Sequence, residues 1–331
     1  MKAYVVKEYK APLELAEVPE PAVGEHDVLV QVRAASLNPL DEKIRAGEFK
    51  QILPYDLPLV LGHDLAGTVL RVGAKVSGFE PGDEVYARPG KDRIGTFAER
   101  IAVPEADLAL KPASISMEEA GSLPLVALTA WQALVERGDV RPGQRVLVHA
   151  GAGGVGSIAI QLAKHLGATV ATTASASNAD FVRGLGADVV IDYRTQDFER
   201  LLSGYDLVLD SLGGKNLEQS LRVLRPGGKA IGIAGPPDPA FAREIGANPV
   251  LRLAVAALSS GILRQARRLG VQYEFLFMRA SGDQLREITA LIDKGAIRPV
   301  VGKTVTFAQT PEALGALERG GFRGKAVITE I

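Results

Sequence analysis

Cysteine is absent from all 331 residues of the sequence. This absence excludes disulfide bonds, a thiolate nucleophile and any zinc site held by cysteine, and it fits a reducing compartment. The formal net charge at pH 7 is -1, so the overall charge gives no reason to expect binding to nucleic acid or to an anionic membrane. We find no apolar run long enough to span a bilayer, and residues 1–8 resemble a strand rather than a targeting peptide. We therefore expect a cytoplasmic protein with no nucleic-acid or membrane partner.

The clearest positive feature is the stretch 146–164, which begins with a short apolar run typical of a buried parallel strand. Gly151, Gly153 and Gly156 fit the pattern G-x-G-x-x-G. In that pattern the first glycine permits a tight turn, the second lets a pyrophosphate approach the backbone, and the third lets the helix pack on the strand. Such a pattern alone can be a structural turn. Here a helix and a second strand, 168–174, complete a βαβ unit, so we predict a dinucleotide site at the helix N-terminus.

The rest of the chain divides into a β-rich part and an alternating part. Residues up to about 110 form short strands between turn signals, which predicts a small barrel-like domain. From 145 to about 262 strands and helices alternate, as in a doubly wound parallel sheet, so the predicted fold class is α/β. Loops after the strand ends, at Gly151, Ser175, Tyr193, Ser211 and Gly235, should line one crevice that holds a dinucleotide.

Two later segments carry further expectations. A helical segment that is apolar or basic covers 248–269, before a strand that begins at Val271. Its position suggests either a flap near the substrate cleft or a subunit contact. A helix over 311–318 precedes the last strand of the chain.

Five separated motifs together resemble a known family. They are GHDLAG at 62–67, PGDEV at 81–85, HAGAGGVG at 149–156, LGAD at 185–188 and GKAV at 324–327. Their order is similar to that of the medium-chain dehydrogenase/reductase superfamily, in particular its zinc-free quinone oxidoreductases and alkenal or enone reductases. The resemblance implies a GroES-like catalytic domain, a Rossmann domain that binds NADP, an active site in the cleft between them, and a homodimer. The corresponding boundaries are 1–124, completed by 263–331, for the catalytic domain and 125–262 for the Rossmann domain.

The resemblance also bears on zinc. Zinc-dependent members of the superfamily hold their catalytic metal on a cysteine, a histidine and a second cysteine, and the corresponding positions here are Asn38, His63 and Leu125. Catalytic zinc needs three protein ligands, and only the histidine can serve, so we predict no metal. His63 is then interpreted as a hydrogen-bonded structural histidine.

The nicotinamide cofactor is predicted to be NADPH. An NAD site carries an acidic residue about 20 residues beyond the glycines, whereas the corresponding stretch, 172–178, has none. Hydroxyl and amide groups in this stretch can donate to a 2′-phosphate, although many relatives have a lysine at the position of Asn178. The resemblance implies that Tyr193 lies beside the same phosphate, and Arg194 could add positive charge.

An alternative for Ser175 and Ser177 is a helix N-cap, which is compatible with phosphate contact. The predicted cofactor-binding residues are Thr129, Gly151, Gly153, Gly154, Val155, Gly156, Ser175, Ser177, Asn178, Tyr193, Leu212, Gly235, Phe275 and Phe277.

Without a metal, a flavin motif or a nucleophile, the cofactor must carry the reaction. We predict hydride transfer to a quinone or to the β-carbon of an α,β-unsaturated aldehyde or ketone, with a hydrogen-bond donor for the carbonyl oxygen. The family position of Asn38 faces the nicotinamide, as a positioning residue or oxyanion donor; alternatively, Asn38 holds its own loop. Tyr55 is interpreted as packing rather than a proton donor. Phe275 and Phe277 match a segment at the nicotinamide end, but core packing explains them equally well.

Two other functions stay open. A zinc-type alcohol dehydrogenase relative would share the fold but needs the missing metal ligands. A non-catalytic NADPH-binding redox sensor would keep the nucleotide site without turnover.

Overall fold

A computed structural model of the protein describes residues 1–52, 54–317 and 320–331. The chain forms two compact units, one of Met1–Leu128 with Arg279–Ile331 and one of Thr129–Met278. The predicted helix over 311–318 is present as far as Ala316, and its last residue, Glu318, lies outside the described residues. Within the described ranges no helix is both long and apolar enough to cross a membrane.

The strands and helices follow the sequence pattern closely. The strands are β1 Lys2–Val6, β2 Glu14–Glu17, β3 Asp27–Ser36, β4 Leu59–Val60, β5 Asp64–Val72, β6 Glu84–Ala87, β7 Arg100–Pro104, β8 Leu108–Leu110, β9 Arg145–Val148, β10 Thr169–Ala174, β11 Val189–Asp192, β12 Tyr205–Asp210, β13 Leu224–Gly232, β14 Gln272–Phe275, β15 Val301–Thr306 and β16 Lys325–Thr329. The helices are α1 Pro39–Arg45, α2 Met117–Gly121, α3 Pro124–Trp131, α4 Gly154–His165, α5 Ala179–Gly184, α6 Phe198–Leu201, α7 Gly214–Val223, α8 Pro239–Glu244, α9 Pro249–Leu269, α10 Gly282–Asp293 and α11 Thr310–Ala316.

The first unit is built around β3. This strand pairs with β5, β7 and β16, and the larger sheet has the order β15-β16-β3-β5-β6-β8 with β7 added on β3. The register between β3 and β5 shifts twice, at Leu29/Val30 and at Val32/Ala34. Such bulges bend a strand and increase its twist, which lets one strand serve several neighbours. A second sheet, β2-β1-β4, completes the predicted barrel-like β unit.

The second unit is the predicted doubly wound sheet. All its strand pairs are parallel, in the order β11-β10-β9-β12-β13-β14. The chain therefore starts at β9, moves outwards to β11, returns to β12 beside β9 and continues to β14. The switch point between β9 and β12 is where a ligand crevice forms in such sheets, outside the carboxyl ends of the strands.

One predicted domain boundary needs correction. The boundary expected at 262 falls instead after Met278, because β14 pairs with β13 in the same sheet and Ile262 and Ala266 of α9 pack into the same core.

The helical segment near 248–269 is α9, with Asn248 as its N-cap and Gly270, at φ 67°, as its C-cap. Its second half is the crossover that leads from β13 to β14. Its roles as a flap or a subunit contact stay predictions.

Gly67 provides a test of how closely β3 and β5 approach one another. A Cβ added at Gly67 would lie 2.1 Å from the Gln31 carbonyl oxygen, which is backbone and cannot move aside cheaply. We expect Gly67→Ala to lower the free energy of unfolding by about 1–3 kcal/mol, measured by thermal or urea unfolding. Gly261→Ala is the matched control, because a Cβ there meets nothing within 4 Å and alanine favours a helix by up to about 1 kcal/mol. Equal stability of the two variants would contradict the close approach.

Candidate active site

The turn after β9 contains the predicted glycine pattern, but its left-handed residue is an alanine. Ala150 has φ 52°, whereas Gly151, Gly153 and Gly156 have no left-handed φ. A Cβ on Gly151 would lie 2.1 Å from Thr172 Oγ1, and one on Gly156 would lie 2.2 Å from the Ala150 carbonyl oxygen. The first and third glycines are therefore required by packing against β10 and within the turn itself.

Gly153 is different, because an added Cβ would meet only the Ala150 carbonyl oxygen, 3.3 Å away. It is the N-cap of α4 and supplies no side chain, and the Ser157 N–H donates to its carbonyl at 2.9 Å. The N–H groups of residues Gly154–Gly156 lie before this first hydrogen bond of the helix. The first N–H groups of an α-helix have no acceptor within the helix itself. Three N–H groups at the positive end of the helix dipole fit a pyrophosphate, so the residues present fit the predicted cofactor.

The side chains predicted to bind the extra phosphate of NADPH lie in the loops after β10 and β11. Ser175 Oγ lies 3.0 Å from Ser177 Oγ and accepts a hydrogen bond of 3.2 Å from Asn178 Nδ2. The Tyr193 N–H donates to the Ala174 carbonyl at 3.3 Å, which holds the second loop beside the first. Ser175 also begins a short 3₁₀ turn, but its side chain makes no capping bond there. Its hydroxyl is thus free of the N-cap role proposed as an alternative.

Asp192 ends β11, yet its carboxylate serves its own turn. Its Oδ1 accepts from the Arg194 N–H at 3.1 Å and its Oδ2 accepts from the Thr195 hydroxyl at 3.0 Å. The Arg194 guanidinium lies 5.8 Å from the centre of the Tyr193 ring, so it adds positive charge to the same loop. This arrangement favours a phosphate over a ribose hydroxyl.

The remaining glycine and leucine of the predicted set follow β12 and β13. Leu212 is 46% exposed, and its N–H donates to Asp210 Oδ1 at 3.1 Å. A Cβ at Gly235 would lie 2.5 Å from the Tyr273 hydroxyl oxygen, so packing alone explains this glycine. Both residues stand at the carboxyl edge of the sheet, as predicted from the strand order.

Phe275 and Phe277 belong to an aromatic cluster. The Phe241 ring of α8 lies 5.1 Å from the Phe275 ring and 5.7 Å from the Phe277 ring, measured between centroids. Phe275 also packs against the main core of this unit, which supports its interpretation as a core residue. Thr129 is buried within α3. Contact of these three side chains with the cofactor stays a prediction.

A buried polar network that the sequence analysis missed joins the ends of β9 and β12. His149 Nε2 lies 2.9 Å from Ser220 Oγ, and this hydroxyl donates to Asp210 Oδ2 at 3.2 Å. His149 Nδ1 lies 3.1 Å from Thr173 Oγ1 of β10. Burial lowers the pKa of His149 in spite of the opposing effect of Asp210. The network braces the loops on both sides of the switch point, and polar residues at the ends of neighbouring parallel strands were the signal that could have revealed it.

The three zinc-ligand positions of the resemblance come together in the first unit, in a hydrogen-bonded network. Asn38 Nδ2 donates to Asp64 Oδ2 at 2.8 Å and to the Ser36 carbonyl at 3.3 Å, while Lys325 Nζ donates to Asn38 Oδ1. The Leu125 N–H donates to Asp64 Oδ1 at 2.6 Å. Both ends of the Asn38 amide are therefore engaged. This geometry does not support the oxyanion-donor role and favours the alternative in which Asn38 holds its own loop.

His63 is bonded to the same network through Asp41. Its Nδ1 lies 2.6 Å from Asp41 Oδ1, and both side chains are buried. The second Asp41 oxygen, Oδ2, accepts from the Asn38 N–H at 2.8 Å. His63 is thus the hydrogen-bonded histidine that the sequence predicted, although its Nε2 finds no partner in the described part of the chain.

Lys325 supplies the positive charge of this network. Its Nζ donates to the Leu37 carbonyl at 3.0 Å and lies 3.3 Å from Asp64 Oδ2. Burial lowers the pKa of Lys325, and the carboxylates of Asp64 and Asp41 oppose that shift. Within residues 1–52, 54–317 and 320–331, no group of three or more His, Asp, Glu or Cys side chains could hold a metal ion. The residues present therefore do not fit a catalytic zinc.

Tyr55 and Arg88 lie near this network. The Tyr55 hydroxyl donates to the Lys91 carbonyl at 2.8 Å, and burial raises the pKa of Tyr55 to about 12. These properties favour the packing interpretation over a proton donor. Arg88, which the sequence analysis did not single out, is 1% exposed and donates from Nη1 to the Pro89 carbonyl at 2.8 Å. Burial lowers its pKa, while Tyr55 and Asp64 oppose that effect.

Comparison with known proteins assigns both units to one family. Residues 24–113 match the alcohol dehydrogenase GroES-like domain, and residues 185–328 match the zinc-binding dehydrogenase family. The mitochondrial NAD(P)H oxidoreductase RTN4IP1 of Danio rerio is 36% identical over 328 residues, which cover 92% of this chain and 84% of that protein. The chloroplastic NADPH-dependent alkenal/one oxidoreductase of Arabidopsis thaliana is 37% identical over 344 residues, which cover 100% and 80%. The structure of the quinone oxidoreductase from Coxiella burnetii aligns with a TM-score of 0.86 at 31% identity, over 100% of this chain and 99% of that one.

The His149 network predicts a loss of stability in acid. The pKa of His149 is lowered from 6.5 in the folded protein, so below about pH 6.5 the unfolded chain binds a proton that the folded chain does not. Stability should therefore fall as the pH drops below that value, by at most about 1.4 kcal/mol per pH unit. We expect the unfolding midpoint of His149→Gln to change less between pH 7.5 and 5.0 than that of the wild type. His165→Gln, at an exposed position, is the control and should keep the wild-type difference; an unchanged difference in His149→Gln would contradict the assignment.

Proposed function

Because the chain belongs to the medium-chain dehydrogenase/reductase superfamily, in its quinone oxidoreductase and alkenal reductase branch, we propose that it is a zinc-independent reductase. It is an NAD(P)H oxidoreductase of this family, and its cofactor is NADPH. The proposed substrates are quinones and the C=C bonds of α,β-unsaturated aldehydes and ketones. The observation that carries the proposal is the network at the zinc-ligand positions, where Lys325 supplies the positive charge and the Asn38 amide is fully engaged.

NADPH supplies the hydride when it is bound, and the protein binds and orients it. The N–H groups of Gly154–Gly156 would hold the pyrophosphate at the start of α4. Ser175, Asn178 and Tyr193 would donate to the 2′-phosphate, and Arg194, which follows Tyr193, would contribute positive charge. Fixing the cofactor at both points limits the positions that its reacting carbon can take, which favours transfer to a correctly placed acceptor.

The region of Asn38 acts through shape and position rather than through a direct bond to the substrate. With both donors of its amide engaged, Asn38 fixes the loop before α1 and the adjacent end of β5. Tyr55, with a pKa of about 12 and its hydroxyl donated to a carbonyl, retains its proton. We therefore propose that the proton added beside the carbonyl comes from water.

A cytoplasmic homodimer remains part of the proposal. Strand β14 is the last strand of the six-stranded sheet. An edge strand presents unpaired backbone N–H and C=O groups, which a second copy of the strand can pair across a two-fold axis. Analytical ultracentrifugation of the purified chain measures its oligomeric state directly.

A substrate and metal experiment tests the proposed reaction. We expect NADPH oxidation with at least one of a panel of enals, enones and quinones, and a slower reaction with NADH. Prolonged dialysis against a strong chelator should leave the rate within about twofold of the untreated enzyme, because the described residues provide no three-ligand site. Loss of activity that zinc restores would instead identify a zinc-type dehydrogenase. Cofactor binding without oxidation on any substrate would favour the redox-sensor alternative.

Ser175→Asp tests the 2′-phosphate site. The carboxylate would replace a donor with a negative charge, so kcat/KM for NADPH should fall by about 10- to 100-fold, the size expected for one hydrogen bond to a charged group. Turnover with NADH should change by less than about threefold, which shows that the variant is folded. Asn178→Lys is the opposite change and should raise kcat/KM for NADPH. Ser203→Asp, at an exposed position before β12, is the control and should alter neither cofactor; an equal loss with both cofactors in Ser175→Asp would contradict the assignment.

A further inference from the structure

One face of α9 exposes apolar side chains that the fold does not use. Val250 is 79% exposed, Leu253 is 73% exposed and Leu258 is 65% exposed, the three highest values among the large hydrophobic side chains of the described chain. At 3.6 residues per turn these positions fall on one side of the helix. We call this surface the α9 apolar face; it comprises Val250, Leu253, Ala254, Ala257, Leu258 and Gly261.

The other side of α9 holds the helix on the second unit. Val255 packs with Ala242 and Ala247, and Ile262 and Ala266 lie in the main core. The position of α9 therefore does not depend on its exposed side chains. The exposed apolar side chains of α9 are in contact with water. A partner that covered them would remove this apolar surface from water, which is energetically favourable.

The charge of α9 is of one sign. The helix contains four arginines and no aspartate or glutamate, although the net charge of the whole chain is -1. Arg264 and Arg268 continue the α9 apolar face along the same side of the helix, and Arg267 stands beside them. All three are exposed. A partner for this surface must therefore offer an apolar layer next to negative charge.

We propose that the α9 apolar face docks on a membrane surface that contains anionic phospholipids. The apolar side chains of the first three turns enter the boundary between headgroups and acyl chains, and the arginines of the last two turns bind lipid phosphates. This binding is peripheral, since the helix stays attached to its unit and does not cross the bilayer. The expectation of no membrane partner relied on the net charge of the whole chain, which hides the local excess of arginine on α9. Lipid-soluble substrates such as quinones and long enals would then be met at the surface that holds them.

Self-association through the same face is disfavoured by charge. If two copies packed their α9 helices antiparallel, Arg264 and Arg268 would lie against the other helix's N-terminus, which is the positive end of its dipole. If the helices packed parallel, the arginines would face one another. The range 249–269 has no acidic residue to compensate in either case.

Co-sedimentation of the full-length protein with vesicles tests the proposal. We expect binding to vesicles of phosphatidylcholine with 30% phosphatidylglycerol, weaker binding to phosphatidylcholine alone, and weaker binding at high salt, which screens the arginines. Leu253→Glu should abolish binding. Each of Arg264→Gln, Arg267→Gln and Arg268→Gln should weaken it by about fivefold, the change that one basic residue near an anionic surface produces. Leu15→Glu alters a leucine that is 55% exposed in the first unit and serves as the matched control, with wild-type binding.

Activity and oligomeric state, measured on the same variants, separate this proposal from the others. Leu253→Glu should reduce a water-soluble enone at the wild-type rate, so loss of vesicle binding would not reflect unfolding. Binding that is equal for neutral and anionic vesicles, or that Leu15→Glu also removes, would overturn the proposal. So would an absence of vesicle binding together with a dimer that Leu253→Glu dissociates, because the face would then be a contact between two copies.

Discussion

The first unit depends on one buried carboxylate and the cation that neutralises it. Asp64 has no exposed surface and accepts hydrogen bonds from the Ser36 hydroxyl at 2.6 Å, the Asn38 amide at 2.8 Å and the Leu125 N–H at 2.6 Å. Lys325, from the last strand, lies 3.3 Å away. An unpaired buried charge costs several kcal/mol, whereas a fully hydrogen-bonded pair can be tolerated. The pair therefore constrains the end of β3, the start of β5, the start of α3 and β16 together, at the positions where the zinc-dependent relatives hold their metal.

The second unit shows how a nucleotide site can be specified by both shape and charge. Gly151 and Gly156 are required because side chains there would collide with Thr172 and Ala150, so they shape the turn whether or not a phosphate is bound. Gly153 is less constrained by the protein, and its open side agrees with a ligand that approaches the backbone. The side chains proposed to select the extra phosphate lie on the next two loops, which carry hydroxyl, amide and guanidinium groups, and the Asp192 carboxylate is turned into its own loop.

The parts predicted correctly from the sequence are those that local pattern determines. The βαβ unit, the parallel order of the sheet and the proximity of the loops after β10 and β11 all follow from strands that end at one edge. The misplaced features depend on contacts far apart in sequence. The Asn38 amide is occupied by a lysine 287 positions later, and residues up to Met278 join the sheet because β14 pairs with β13. The left-handed conformation at Ala150, where glycine is the usual residue, was equally beyond local pattern.

The effect of the protein's charge also depends on where the charged residues lie, and not only on their sum. A chain with a net charge of -1 can still present a positively charged surface patch. The electrostatic field at a patch depends on the charged groups within about 10 Å, because salt screens the charges that lie farther away. On α9 the arginines share a helix with exposed leucine and valine, while the compensating carboxylates lie elsewhere in the chain. In the first unit the opposite holds, since Lys325 and Asp64 neutralise each other within one network and contribute little field outside it. Net charge therefore describes the solubility of the protein, whereas its partners are determined by which charges lie together and which are left without a counterion.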